Sequence, residues 1–250
     1  MSSMTAGGIV FTCVFGGALL GMLLRKLVPD DHLSSDSKDV VKLGMGLIGT
    51  MAALVLGLLI SSAKGSYDTR SSEVIQLSAN IILLDRVLAH YGPEAMAARD
   101  LLRRSVAGVI DQLWPSTSAG SLQPTPTAGV EAFYDKIQVL APQNDAQRSL
   151  QAQARTIAAT LAQTRWLLAG QSARSIPMPF LVVLVCWLTF IFVSFGLYAR
   201  PNATVIVALV LCALSFSSAI FLILELDRPF DGLVKISSAP MREALARLGQ

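Results

Sequence analysis

Charge is what this sequence has least of. Asp, Glu, Lys and Arg make up 15% of its 250 residues against 53% apolar residues. Four stretches, residues 6–24, 43–60, 180–198 and 203–224, hold no Asp, Glu, Lys, Arg or His at all. An uncharged apolar run of about 18 residues or more reads as a membrane span, so the chain is an all-α integral membrane protein with four spans. Ion-coupled carriers and proton relays keep an ionisable group at membrane depth, and the empty spans argue against both.

Cysteine and histidine are scarce as well. Cys13, Cys186 and Cys212 all fall inside apolar stretches and read as buried thiols, neither a disulfide frame nor a metal site. His32 and His90 lie far apart with no Cys or further His clustered beside them. There is no GxSxG, no HExxH and no Gly-rich loop followed by Lys-Ser/Thr. No catalytic residue, metal or cofactor is therefore assigned, and the chain is read as a non-enzyme. A net charge of +3 is too small for a nucleic-acid binder.

Breakers are also missing where they matter. The apolar run Leu43 to Ile60 passes directly into the polar sequence that begins SSAKGSYDTR and ends at Tyr91, where only Gly65 interrupts the helical pattern before Gly92-Pro93, and an isolated Gly is usually tolerated in a helix. One long helix is expected to leave the membrane and form the first wall of an extramembrane domain. The domain plan is a first pair of spans (1–60), a helical domain (61–179), a second hairpin (180–224) and a tail (225–250). Within the domain, Ile75, Ile82, Leu83 and Val87 carry the apolar rhythm of the first helix. Further helices are expected near 94–113, 130–140 and 143–175, the last antiparallel to 62–91. The Pro/Ser/Thr/Gly segment 115–129 reads as a mobile linker, and Pro29-Asp30 as a turn. Arg148, Arg155, Arg165 and Arg174 read as a solvated face, with headgroup or phosphate binding as the alternative.

Two stretches invite a functional reading. In the second span Gly46, Thr50, Ala53, Gly57 and Ser61 share one helical face, while Leu47, Leu54, Leu58 and Leu59 lie off it. Small residues let another helix approach closely, as Gly17 and Gly21 do in a GxxxG spacing; they also leave room for water and ions along a pore. Residue types alone favour packing. At the span ends stand Lys64-Gly65-Ser66-Tyr67-Asp68-Thr69-Arg70 and Glu225-Leu226-Asp227-Arg228-Pro229-Phe230-Asp231-Gly232. On residue type, Glu225 and Asp227 mark the membrane boundary, and Tyr67 and Asp68 form a junction between span and domain.

These two motifs, and the layout of four spans with a domain between the second and third, resemble the bestrophin family, and in particular the bacterial bestrophin-like domain membrane proteins. The resemblance implies a homo-oligomer, pentameric in bestrophins, that conducts inorganic ions through a central pore lined by the second span. It also implies a bacterial inner membrane location with the domain and both termini cytoplasmic. Gly46, Thr50, Ala53, Gly57 and Ser61 then become pore-lining candidates, and Lys64 a ring of positive charge at the inner mouth that favours anions. Ser66, Tyr67, Asp68, Glu225, Asp227, Pro229 and Phe230 become the structural junction. The pore reading rises level with packing. Departures accompany the likeness: the bulky neck residues and the paired tryptophans after Tyr-Asp are missing, and no acidic cluster follows Gly232, so calcium gating is not expected. Lys and Arg near the span ends lean towards a cytoplasmic domain, although Arg25-Lys26 pulls the other way. The alternative is a non-conducting, stator-like coupling protein that works with a partner subunit.

Overall fold

Where the sequence has no breaker, the chain has no break. The second helix, α2 (Ser35–Tyr91), runs for 57 residues and stops where Gly92 takes φ 128°, a backbone that L side chains rarely adopt. The structure is a computed structural model describing residues 2–27, 35–114, 127–170, 178–199, 202–230 and 232–250. The expected turn at Pro29-Asp30, most of the 115–129 linker, and Arg174 lie outside the described residues. The described residues contain helices and no strand. The chain divides into two compact units, Met1–Tyr67 with Arg174–Val234, and Asp68–Ala173 with Lys235–Gln250.

The first unit holds the four helices long and apolar enough to cross a membrane. They are α1 (Ser3–Leu24), the first part of α2, α6 (Met178–Tyr198) and α7 (Ala203–Leu226). Side-chain caps set two of the starts: the Thr5 N–H donates to Ser2 Oγ at 3.1 Å, and the Val205 N–H to Asn202 Oδ1 at 2.8 Å. Glycine lets α1 and α6 run parallel in close contact. A Cβ at Gly17 would lie 3.0 Å from Thr189 Cγ2, while at Gly21 and Gly196 it would fall on the carbonyls of Val193 and Ala18. The GxxxG pair thus packs helix on helix, as its spacing predicts.

Helix α7 runs the other way, with Ser217 Oγ donating to the Gly7 carbonyl at 2.6 Å. Inside the bundle, Val14 and Ala18 of α1, Ala52 and Leu59 of α2, Leu188 and Phe192 of α6, and Ala213 and Ile220 of α7 form one core. Phe192 meets Phe216 edge to face, with ring centroids 6.2 Å apart. Arg25 Nη1 donates to the Ala199 carbonyl at 2.6 Å, closing the C-terminal end of α6. The three cysteines correct the sequence reading: all are exposed on the bundle surface. In a membrane helix the outward face is as apolar as the inward one, so an apolar setting does not imply burial in protein.

The second unit packs the remainder of α2 with α3 (Met96–Leu113), α4 (Thr127–Gln138), α5 (Asp145–Gly170) and α8 (Ala239–Arg247). The face that α2 buries here is Val74, Leu77, Ile81, Leu84, Val87 and Leu88. Ile75 and Leu83, assigned to that face by sequence, are 55% and 46% exposed. Both sets satisfy helical spacing, and only the packing partner chooses between them. Glutamines of α5 close the ends of two earlier helices. Gln147 Nε2 donates to the Tyr91 carbonyl at 2.9 Å, and Gln151 Nε2 to the carbonyls of Ile137 and Leu140 at 2.9 and 2.7 Å. The start of α5 therefore lies at the end of α2. Arg148 pairs with Asp145 at the surface, whereas Arg165 is half-buried and its pKa is lowered by that burial.

Candidate functional site

At about 100° per residue, Gly46, Thr50, Ala53, Gly57, Ser61 and Lys64 fall in one narrow sector of α2. Ala52, Leu59 and Ala63 occupy the side that is buried in the bundle core. All six stripe residues are exposed, and a Cβ built on Gly46 or Gly57 meets nothing within 4 Å. The contrast with Gly17, Gly21 and Gly196 is direct. Those glycines are small because a neighbouring backbone needs the space; the α2 stripe borders on open space. Among the described residues no other helix of the same chain reaches Gly46 or Gly57, so the close packing that residue types favour would need a helix of another protomer. Beside the stripe, Leu47, Leu54 and Leu58 are 69–70% exposed, so α2 presents a small face and a leucine face side by side, both uncovered by the chain itself.

The lower end of the stripe carries its charge. Lys64 Nζ stands 5.6 Å from the centroid of the Tyr67 ring, one turn further on, a cation–π contact worth roughly 0.5–1 kcal/mol at an exposed position. Ser66 and Tyr67 are half-buried and Asp68 is exposed, while Arg70 turns into the protein at 6% exposure. The helix passes through Gly65 without interruption.

Past α7, the second motif forms a chain reversal built on a buried carboxylate. Glu225 is 3% exposed and accepts the backbone N–H of Leu233, so it is not a solvent-facing boundary charge. Gly232 fits beneath it because a Cβ there would meet the Glu225 carboxylate and lie 3.1 Å from the Arg228 carbonyl. Asp227 caps α7, its N–H donating to the Ile223 carbonyl at 3.2 Å; Pro229 is buried and Phe230 half-buried.

Sequence reasoning missed one buried charge pair. Arg99 Nε and Nη2 donate to the two carboxylate oxygens of Asp85 at 2.8 and 2.9 Å, with Asp85 only 2% exposed. That bidentate bond raises the Arg99 pKa above its ordinary value. An aspartate inside an apolar helical rhythm, followed by an arginine one helix later, was the signal available for it.

The profile of the Bestrophin-like domain family matches residues 12–241. This chain belongs to that family. Among solved structures it is similar to a point variant of a bacterial bestrophin homologue from Klebsiella pneumoniae, at 15% identity and a TM-score of 0.65, over 95% of this chain and 99% of that one. It is likewise similar to a point variant of a membrane protein, at 16% identity and a TM-score of 0.63, over 96% of both chains. At such identities the likeness is one of fold. No curated protein matches the sequence. The bestrophin-like chain is thus an all-α membrane protein with four membrane helices and a helical domain between the second and third.

Proposed function

We propose that the chain forms a homo-oligomeric ion channel in which α2 of each protomer faces a central axis. In this arrangement Gly46, Thr50, Ala53, Gly57 and Ser61 line the conduction path. The observation that carries the reading is the uncovered small face of α2, with open space at Gly46 and Gly57. The leucine face beside it offers the broad apolar surface on which a neighbouring protomer packs, leaving the small face to water and ions. Lys64, exposed at the end of the stripe, forms a ring of positive charge that favours anions. Ser66, Tyr67, Asp68, Glu225, Asp227, Pro229 and Phe230 act as structural supports at the span ends and do not touch the ion.

The family resemblance supports a pentamer, a bacterial inner membrane location, and a cytoplasmic domain at residues 61–179 with both termini on the same side. The function is conduction, not catalysis. The test is current across planar bilayers containing the purified protein, with asymmetric KCl to read the reversal potential. A unitary current, anion-selective and abolished by Gly57→Trp in an intact oligomer, is the expected result. A well-folded oligomer that stays silent, or a current that Gly57→Trp leaves unchanged, refutes the assignment.

A further inference from the structure

Helix α5 changes character along its length. From Asp145 to Thr164 its exposed positions are polar or small, Gln153, Arg155, Thr156, Ala159 and Thr160 among them, and none carries a large apolar side chain. Its last turns reverse this, with Trp166 69% and Leu167 46% exposed. Leu168, the next residue, is buried, so the helix keeps its packed side while turning a tryptophan outwards. One exposed leucine is ordinary in any fold; here it adjoins an exposed indole and an unpaired guanidinium.

That guanidinium is Arg165. Its side chain is half-buried, and among the described residues no carboxylate or other acceptor pairs with it. The nearby sequence holds no acid to answer it either. Residues 146–224 contain no Asp or Glu, while Arg148, Arg155, Arg165 and Arg174 fall within 146–177, and Arg148 is already taken by Asp145. The end of α5 is therefore a basic, acid-free surface that carries an indole. Tryptophan concentrates where its ring can meet acyl chains and its N–H the wet headgroups. A guanidinium matches a phosphate in shape and charge.

Chain length brings this surface near a bilayer. Met178 opens α6, one of the helices long and apolar enough to span a membrane. Eight residue steps separate it from Gly170, the last residue of α5, and they reach at most about 28 Å. The helix from Trp166 to Gly170 adds roughly 6 Å. Trp166 is thus tethered within roughly 34 Å of the point where the chain enters the membrane.

We propose that the C-terminal turns of α5 dock on the bilayer, with Trp166 and Leu167 in the interfacial layer and Arg165 on the phosphate of an anionic phospholipid. The partner is the leaflet on the domain's own side. A second copy of the chain is the poorer occupant, because α5 meeting α5 would set arginine against arginine. The docking goes beyond the channel reading and requires neither conduction nor a particular orientation.

The test is tryptophan fluorescence of the full-length oligomer in nanodiscs of phosphatidylcholine, alone or mixed with phosphatidylglycerol. Subtracting the Trp166→Phe variant from the parent removes Trp114 and Trp187 and leaves the Trp166 signal. Lipids brominated near the glycerol end of their acyl chains should quench that signal, and aqueous acrylamide should reach it poorly. The ratio of lipid to acrylamide quenching should be about fivefold higher with phosphatidylglycerol, and Arg165→Gln should lower it about fivefold there. If Arg165→Gln impairs assembly, the comparison of the two nanodiscs on the parent carries the charge test alone. A Trp166 signal open to acrylamide and untouched by brominated lipid puts the helix end in water and overturns the proposal. A signal shielded from both puts a second copy over it and overturns the proposal equally. Equal ratios in the two nanodiscs, or a ratio that Arg165→Gln leaves unchanged, remove the phosphate contact and the proposal with it. None of these readouts needs current, so a silent oligomer that docks refutes the channel alone, and a conducting one that does not refutes the docking alone.

Discussion

Replacing glycine by alanine one position at a time separates the two kinds of small residue in this bundle. In a helix interior the added methyl itself favours the helix by roughly 0.5–1 kcal/mol, and that gain is common to Gly57→Ala and Gly196→Ala. The surroundings differ. At Gly57 the new Cβ meets nothing within 4 Å, whereas at Gly196 it falls on the Ala18 carbonyl and reaches the Met22 backbone nitrogen at 3.0 Å. Backbone cannot move aside as a flexible side chain can, so Gly196→Ala carries the full overpacking penalty, typically about 1–3 kcal/mol. Since the propensity gain cancels in the comparison, the two variants should differ by about 1–3 kcal/mol in favour of Gly57→Ala. Thermal loss of the detergent-solubilised oligomer, followed by size-exclusion chromatography, reads the difference. Gly57→Ala should match or exceed the parent, and Gly196→Ala should fall below it. If Gly57→Ala loses as much oligomer as Gly196→Ala, a helix of a neighbouring protomer occupies the stripe. The water-facing assignment then fails, whatever the currents show.

The segment after α7 in the first unit gives one further test and the extramembrane unit gives two. Asp85→Asn should destabilise it by about 3 kcal/mol, the lower end for breaking a buried pair, because the Arg99 side chain keeps 16% exposure; a coupling below about 0.5 kcal/mol in a cycle with Arg99→Leu would show that the pair contributes nothing. Gly232→Ala should cost about 1–3 kcal/mol by forcing the Glu225 carboxylate off the Leu233 N–H, and a thermally neutral variant would refute the fit described. Burial and the neighbouring Glu94 carboxylate raise the Tyr91 pKa above 10.0, so the folded state holds this proton longer than the unfolded state. Stability is therefore intact below pH 10 and falls as pH rises from there towards the folded-state value. Tyr91→Phe should flatten that fall in urea titrations, and an unchanged slope counts against it.

Much of the architecture was legible because it depends on absences that one chain displays by itself. Uncharged runs set the four membrane helices, and the lack of a breaker between Leu43 and Gly92 set the long α2. The finer packing was not legible. Val74, Leu77, Ile81 and Leu84 compete with Ile75, Ile82 and Leu83 for the same helical period, and the choice is made by α2's packing partners. Glu225 looked like a boundary charge because a carboxylate at a span end is ordinary there. Its burial depends on a backbone N–H eight residues away, which residue type does not reveal.

The candidate site shows the limit most sharply. Gly17 and Gly21 in α1 and Gly46, Thr50, Ala53 and Gly57 in α2 are the same kind of signal in sequence, small residues on one helical face. In the fold they have different surroundings: the first pair brings two backbones together, whereas among the described residues a Cβ at Gly46 or Gly57 would meet nothing from another helix within 4 Å. Composition records that a face is small; only tertiary context records what it is small for. The same holds for charge. Arg25 counts against a cytoplasmic domain when basic residues near span ends are tallied, yet its guanidinium is spent on the carbonyls that end α6. A residue held by a helix terminus satisfies a local requirement on whichever side of the membrane it lies, so its position carries less topological information than that of a solvated lysine.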